Sequence, residues 1–172
     1  MVRWSYAQLQ TQVDQIAHVL VKDLGLVSGQ RVLLRGANSP MMAASLLAVI
    51  KAGLVAVPTM PLLRASELAT IIDKAQVSAA LCDLALEQEL RHCMTPGHGQ
   101  HCDGLKQVLW FHSQDSEGLE QRMQKQPSGF VAHPSSRDDV CLIAFTSGTT
   151  GKPKGTMHFQ DRKSTRLNSS HE

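Results

Sequence analysis

Leu9, Val13, Ile16, Ala17, Leu20 and Leu24 recur every three to four residues among polar neighbours. That spacing lays one apolar stripe along a helix and predicts a helix over residues 6–24. Ser5 and Gln8 form a capping box at its start, and Gly25 stops it. "RVLLRG" (31–36) predicts a short strand. Ser39 caps a second helix that has Pro40 in its first turn. Residues 41–52 are apolar nearly all round, which predicts a buried helix. Gly53 ends it, and "LVAVP" (54–58) is the next strand. A third helix covers 67–75, with Glu67 favourable in its first turn. "SAALCD" (78–83) is strand, 84–91 a short helix and 92–104 loop. "QVLWF" (107–111) is strand, 117–126 helix and 127–139 loop. "VCLIAF" (140–145) is the most continuously apolar run and reads as a buried strand. Strands alternating with helices predict an α/β fold with a mostly parallel sheet flanked by helices.

Beyond that last strand the pattern changes in kind. Residues 144–155 read "AFTSGTTGKPKG". Ligands of open α/β sheets sit beyond the carboxyl ends of strands, and this loop lies at one. Gly148, Gly151 and Gly155 allow backbone conformations and close approaches that a Cβ blocks. Consecutive backbone N–H groups in such a turn form an anion-binding concavity. Thr146, Ser147, Thr149 and Thr150 add hydroxyl donors, and Lys152 and Lys154 add positive charge. Together these suit an oligophosphate. The loop is not a P-loop: Pro153 follows Gly151-Lys152, and Thr146 stands where the first glycine belongs. Nor is it a dinucleotide fingerprint, since no G-x-G-x-x-G is present. The plainer alternative is a glycine-rich hairpin between two strands, but a turn needs only one or two special residues.

Thr146–Gly155 matches, position by position, the T-S-G-[ST]-T-G-x-P-K-G signature of the adenylate-forming superfamily, which it resembles. "WSYAQL", "GQRVLLRGANSPMMAASLLAVIKAGLVAVPTMPLLRASEL" and "AALCD" resemble successive blocks of the family's first subdomain. "LRGANSPMM", "TMPLLRASEL" and "GTMHF" look closest to CoA ligases for benzoate or 2-aminobenzoate. The resemblance implies ATP and Mg²⁺ as cofactors, CoA as co-substrate and a small carboxylic acid, aromatic in kind, as the other partner. It implies that Thr146, Ser147, Gly148, Thr149, Thr150, Gly151, Lys152, Lys154 and Gly155 wrap the β- and γ-phosphates. Lys154 would neutralise charge on departing pyrophosphate. The family's acyl pocket, ribose-binding aspartate, hinge and main catalytic lysine lie downstream of this motif. The chain is therefore expected to be a partial N-terminal domain over 1–160, inactive alone. Residues 161–172, "DRKSTRLNSSHE", resemble an in-frame sequencing adapter and are expected to be a non-native, disordered tail. Two rivals stand beside this reading. One is a non-catalytic ATP- or phosphate-binding module. The other is a phosphotransferase, which needs a carboxylate near the loop; Asp138 and Asp139 precede the strand at its opposite end.

Composition narrows the classes further. Among 172 residues the net charge is +2, too small to argue for nucleic acid or a membrane surface. No apolar run approaches the ~20 residues of a membrane span. Cys82, Cys93, Cys102 and Cys141 are scattered and read as reduced thiols of a cytoplasmic protein. His92, Cys93, His98, His101 and Cys102 crowd one segment, but eight residues between the two cysteines fit no zinc spacing. That segment reads as surface loop. Met41, Met42 and Trp110 read as core, and His158 either borders the loop or belongs to a strand.

Overall fold

The computed structural model describes residues 3–95, 102, 104–146 and 153–161. Six strands form one sheet: β1 (Arg31–Arg35), β2 (Val55–Thr59), β3 (Val77–Asp83), β4 (Gln107–Phe111), β5 (Val140–Thr146) and β6 (Lys154–Phe159). Their spatial order is β4-β3-β1-β2-β5-β6. The first five run parallel, and β6 turns back antiparallel to β5. Helices α1 (Tyr6–His18), α2 (Pro40–Lys51), α3 (Ala65–Ala75), α4 (Glu87–Met94) and α5 (Leu119–Gln124) cover the sheet.

Alternation along each strand divides the core into two. Val32, Leu34, Ala56, Leu81, Leu109 and Phe111 face Ile16 and Leu20 of the first helix, Ala44 and Ala48 of α2, and Leu119 of α5. Leu33, Val57, Ala80 and Cys82 face Leu68 and Ile72 of α3 and Leu90 of α4. Each fully buried aliphatic side chain contributes about 1.5–3 kcal/mol. A one-residue irregularity opposite Arg31 and Val32 lets Val77 join the α3 side while Ala79 joins the α1 side.

The predicted caps are present. Ser5 Oγ accepts from Gln8 N, and Gln8 Oε1 accepts from Ser5 N at 2.8 Å. Ser39 Oγ accepts from Met42 N, with Pro40 opening α2. The first helix runs on through a wider π turn, Val19–Asp23, before Gly25 at φ +64° ends it. The long connection from β4 to β5 is pinned across α1 and α2. His18 Nε2 lies 2.8 Å from Gly129 O, and His133 N donates to Lys51 O at 2.9 Å. Gly53 has φ +73°, and a Cβ there would strike the His133 ring, so two separate constraints require glycine.

Several expectations change. Helix α2 is buried on one face only, and Leu47 is exposed. Strand β5 is half-exposed over most of its length, with Cys141 its one buried residue. Segment 92–104 is not a surface loop throughout: α4 continues to Met94, and Cys93 and Cys102 lie buried with their sulfurs 3.4 Å apart. Trp110 is only partly buried and carries the Arg91 guanidinium over its ring. Strand β6 is an addition that the sequence reading left unassigned. Asp161, at the edge of the tail, pairs with Arg137 at 2.9 Å; the remaining tail residues lie outside those described.

Candidate functional site

The carboxyl ends of the parallel strands place Arg35, Thr59, Asp83, Phe111 and Thr146 along one edge of the sheet. The glycine- and hydroxyl-rich loop leaves that edge at Thr146. Ser147, Gly148, Thr149, Thr150, Gly151 and Lys152 lie outside the described residues. The arms on either side do not. Thr146 pairs with Lys154, Phe145 with Gly155 and Ala144 with Thr156. The loop is thus the connection of an antiparallel hairpin, the plainer geometry weighed above. That fixes how its ends are held and says nothing against phosphate binding within it.

Each arm residue has a physical reason for its place. Lys154 is exposed at the first position of β6, and its ammonium has no carboxylate partner among the described residues. Gly155 sits beneath Phe145; a Cβ there would lie 3.1 Å from Phe145 Cζ and 3.2 Å from Ile143 Cγ2. Its glycine requirement is met by strand packing, whatever a ligand adds. Pro153 is tied to α3, where Lys74 Nζ donates to its carbonyl at 3.0 Å. Between Thr146 and Pro153 on one wall and Thr59, Met60, Leu63 and Ile71 on the other lies a cleft of ≈ 100 Å³.

The far wall is held by a residue the sequence reading missed. Arg35 is 1% exposed. Its Nε donates to Leu86 O at 3.3 Å, its Nη1 to Met60 O at 3.1 Å, and its Nη2 to Pro61 O and Leu63 O, each at 3.1 Å. Desolvation pulls the guanidinium below its ordinary value, yet arginine stays a cation in proteins. The one signal in the sequence is a charged residue closing the apolar run "VLL".

Other candidates do not join the site. His158 is a strand residue opposite Leu142, away from the loop mouth. Asp139 ends the turn before β5, where its Oδ2 accepts from Ser136 N at 2.7 Å. Glu67 lines the cleft, but its Oε2 accepts from Arg64 N at the start of α3. Among the described residues no three His, Cys, Asp or Glu are arranged to hold a metal ion. Cys82 and Cys93 are buried and form no disulfide; burial pushes the Cys82 thiol up to about 12, which leaves it inert as a nucleophile. No described helix is long and apolar enough to cross a membrane.

Comparison with known proteins agrees with this geometry. Residues 1–170 match the model of a family described as AMP-binding enzyme. An uncharacterised acyl–CoA ligase of Bacillus subtilis, YtcI, is 29% identical over 164 residues, covering 90% of this chain and 28% of that protein. A 3-hydroxybenzoate–CoA ligase of an Aromatoleum species is 27% identical over 155 residues, covering 90% of this chain and 29% of that one. The chain thus spans under a third of the length of these relatives. In fold it superposes on the anthranilate CoA ligase AuaEII in complex with anthranoyl-AMP, with a TM-score of 0.79 at 24% identity over 89% of this chain and 28% of that one. The inhibitor-bound N-terminal domain of FACL13 from Mycobacterium tuberculosis gives a TM-score of 0.79 at 26% identity, covering 93% of this chain and 38% of that one. The six-stranded, mostly parallel sheet, the loop at its carboxyl edge and the match over 1–170 place the chain in the AMP-binding enzyme family.

Proposed function

We propose that the chain carries the triphosphate-binding part of an ATP-dependent acid–CoA ligase. The observation that carries this is the position of residues 146–155, a hydroxyl-, glycine- and lysine-rich connection at the carboxyl edge of a parallel sheet. Thr146, Ser147, Gly148, Thr149, Thr150, Gly151, Lys152, Lys154 and Gly155 wrap the β- and γ-phosphates of ATP. The acid's carboxylate oxygen attacks the α-phosphorus; a P–O bond forms to the acid as the bond to pyrophosphate breaks. Attack of the CoA thiol on the acyl carbonyl then forms the thioester and releases AMP. Nothing in the loop acts as a nucleophile, so it contributes positioning and charge neutralisation. Glu67 is occupied and Asp139 lies at the far end of β5, so the hydroxyls of Thr146, Ser147, Thr149 and Thr150 and the phosphates would be the oxygens available to Mg²⁺, which would supply charge neutralisation there.

The acid is aromatic on this reading. The segments "LRGANSPMM" and "TMPLLRASEL" support it, as do similarities to a 3-hydroxybenzoate–CoA ligase and, in fold, to an anthranilate CoA ligase. Four buried cysteines that form no disulfide support a reducing, cytoplasmic setting. The full reaction is proposed for a protein of the relatives' length. For the 172 residues alone the proposal is triphosphate binding without turnover.

Calorimetric titration of the chain with MgATP tests this. Binding that pyrophosphate displaces and Lys154→Ala weakens is expected, with no pyrophosphate release on adding benzoate or 2-aminobenzoate and CoA. In a full-length protein Lys154→Ala slows adenylation by about 2–4 kcal/mol, since it meets charge that grows as pyrophosphate leaves. Ser147→Ala removes one neutral donor and loses about 0.5–1.5 kcal/mol. Equal slowing of the thioester step, started from pre-formed acyl adenylate, would show that the loop does not act on pyrophosphate.

A further inference from the structure

Arg35 is more than stability calls for. A guanidinium 1% exposed has given up its hydration, and a buried charge normally has an ionic partner to offset that loss. Arg35 makes no salt bridge among the described residues; Glu89, the carboxylate that most influences it, is paired with Arg64 at 3.0 Å. All four of its hydrogen bonds go instead to backbone carbonyls of two connections, Met60, Pro61 and Leu63 after β2 and Leu86 after β3. An apolar side chain at this strand end would pack without that desolvation cost. What it could not do is hold three carbonyls of one four-residue turn in a fixed fork.

That turn is one wall of the cleft whose other wall is formed by Thr146 and Pro153, the two described arms of the loop. Arg35 is also the register partner of Thr59, the last residue of β2 before the turn. Thr59 Oγ1 in turn donates to Leu34 O at 3.1 Å, so the turn is anchored at its root and along its length. On the opposite side Pro153 is fixed by Lys74 of α3. The arms of the loop therefore face, across that cleft, backbone that a single buried side chain holds.

We propose that Arg35 is a positioning residue for the triphosphate: by clamping residues 60–63 it fixes the wall of the cleft that Thr146 and Pro153, the arms of the loop, close from the other side. It acts through the turn, without touching nucleotide. The proposal rests on the ATP reading of the loop. Loosening this wall is expected to forfeit about one charge-assisted hydrogen bond to phosphate, which weakens MgATP binding roughly ten- to a hundredfold.

The test uses the full 172-residue chain, its Arg35→Met and Arg35→Lys variants, amide hydrogen exchange and MgATP titration. In Arg35→Met, exchange is expected to rise at 60–63 and also at Thr146 and 154–156. The central-strand amides of Val32–Leu34 and Ala79–Leu81 keep their protection. MgATP affinity falls by the factor given, and Arg35→Lys recovers part of both effects. Faster exchange confined to 60–63 with unchanged affinity would overturn the proposal, as would a uniform rise across the sheet with unchanged affinity. Should Arg35→Met fail to fold, Arg35→Lys decides it, since one ammonium cannot reproduce the fork; faster exchange at 60–63 with unchanged exchange at Thr146 and 154–156 and unchanged MgATP affinity there also overturns it. If the unmutated chain does not bind MgATP, the ATP reading fails. The coupled exchange of turn and hairpin then still decides whether Arg35 holds the arms.

Discussion

Strands β1 and β3 pair from Arg31 and Val77 to Arg35 and Cys82 and bury side chains on both faces, under α1, α2 and α5 on one side and α3 and α4 on the other. Strand β5 has the more continuously apolar sequence and lies inside the sheet order beside β2, with Leu142 opposite Ala56, yet it is covered far less. Its residues 142–145 are all half-exposed, and its neighbour β6 is exposed almost throughout, with Met157 58% accessible. One half of the molecule is a closed core; the other is a hairpin leaning on it. The loop proposed to bind phosphate connects the two arms of the hairpin. Its arms are held by pairing with each other and by the Lys74 hydrogen bond to Pro153, where β1 and β3 are held by packing on both faces. Low local stability is usual for loops that fold over ligands, and apolarity of a run is a separate property from its burial.

Truncating one aromatic in each half makes the comparison quantitative. Phe111 is fully buried at the carboxyl end of β4, packed in the cluster with Leu34, Leu81 and Leu119. Phe111→Ala is expected to cost about 3–5 kcal/mol by urea unfolding. Phe145, at the equivalent end of β5, is partly buried against the other cluster. Phe145→Ala is expected to cost about 1–2 kcal/mol, in proportion to the smaller area it removes from water. Equal losses would mean that the hairpin is as integral to the fold as the central strands.

A second substitution probes contact within the hairpin. A Cβ at Gly155 would press on Phe145 and Ile143 at 3.1 and 3.2 Å, so Gly155→Ala overpacks the pair and costs about 1–2 kcal/mol. Phe145→Leu relieves the closer contact. The double variant is expected to be more stable than the sum of the singles predicts, with a coupling of about 0.5–1 kcal/mol. Strict additivity would show that Gly155 is glycine for a reason outside strand packing, which would return it to the phosphate site.

Much of the closed half is legible in the sequence because local chemistry and tertiary packing agree there. The Ser5–Gln8 box, the Ser39-Pro40 start of α2 and the runs "RVLLR" and "QVLWF" all fall where patterning puts them. The hairpin is less legible. The run 140–145 carries no sign of its half-exposed state, since periodicity reports apolarity and cannot say what covers it. Strand β6, "KGTMHF", is short and mixed, and only pairing with β5 makes it a strand. The loop composition announces its chemistry, while the residues that seat its arms do not announce themselves. Arg35 lies more than a hundred positions from Thr146, and Lys74 reads from sequence as an ordinary basic residue in a helix's last turn. Cys93 and Cys102 read as loop residues because their burial depends on α3 and β3 packing over them.

The smallest expected effect compares one ion pair from each half. In the closed half Asp14 of α1 pairs with Lys51 of α2, side chains 8% and 22% exposed. Burial alone would push the Asp14 carboxyl up. Hydrogen bonds from Lys51 and Gln10, with the Lys51 charge, outweigh it and hold the group below its ordinary 3.8. A depressed folded-state value means that the native state binds its proton less readily than the unfolded chain does. The stabilisation is therefore complete above about pH 4 and is lost as pH falls through the lower, folded value. In the hairpin half Arg137 pairs with Asp161, side chains 65% and 33% exposed, which water screens. Lys51→Met should lower stability at pH 6 by about 1 kcal/mol or less, and by less at pH 3, below the ordinary value of the carboxyl, where the contribution of a depressed group is being lost. Arg137→Met should change neither by more than about 0.3 kcal/mol. Urea midpoints at the two pH values decide it. A pH-independent loss in Lys51→Met would mean that the lysine's aliphatic stem, lying along α1, matters and its charge does not. A loss in Arg137→Met as large as that in Lys51→Met would mean that the turn entering β5 is held as firmly as the helix pair.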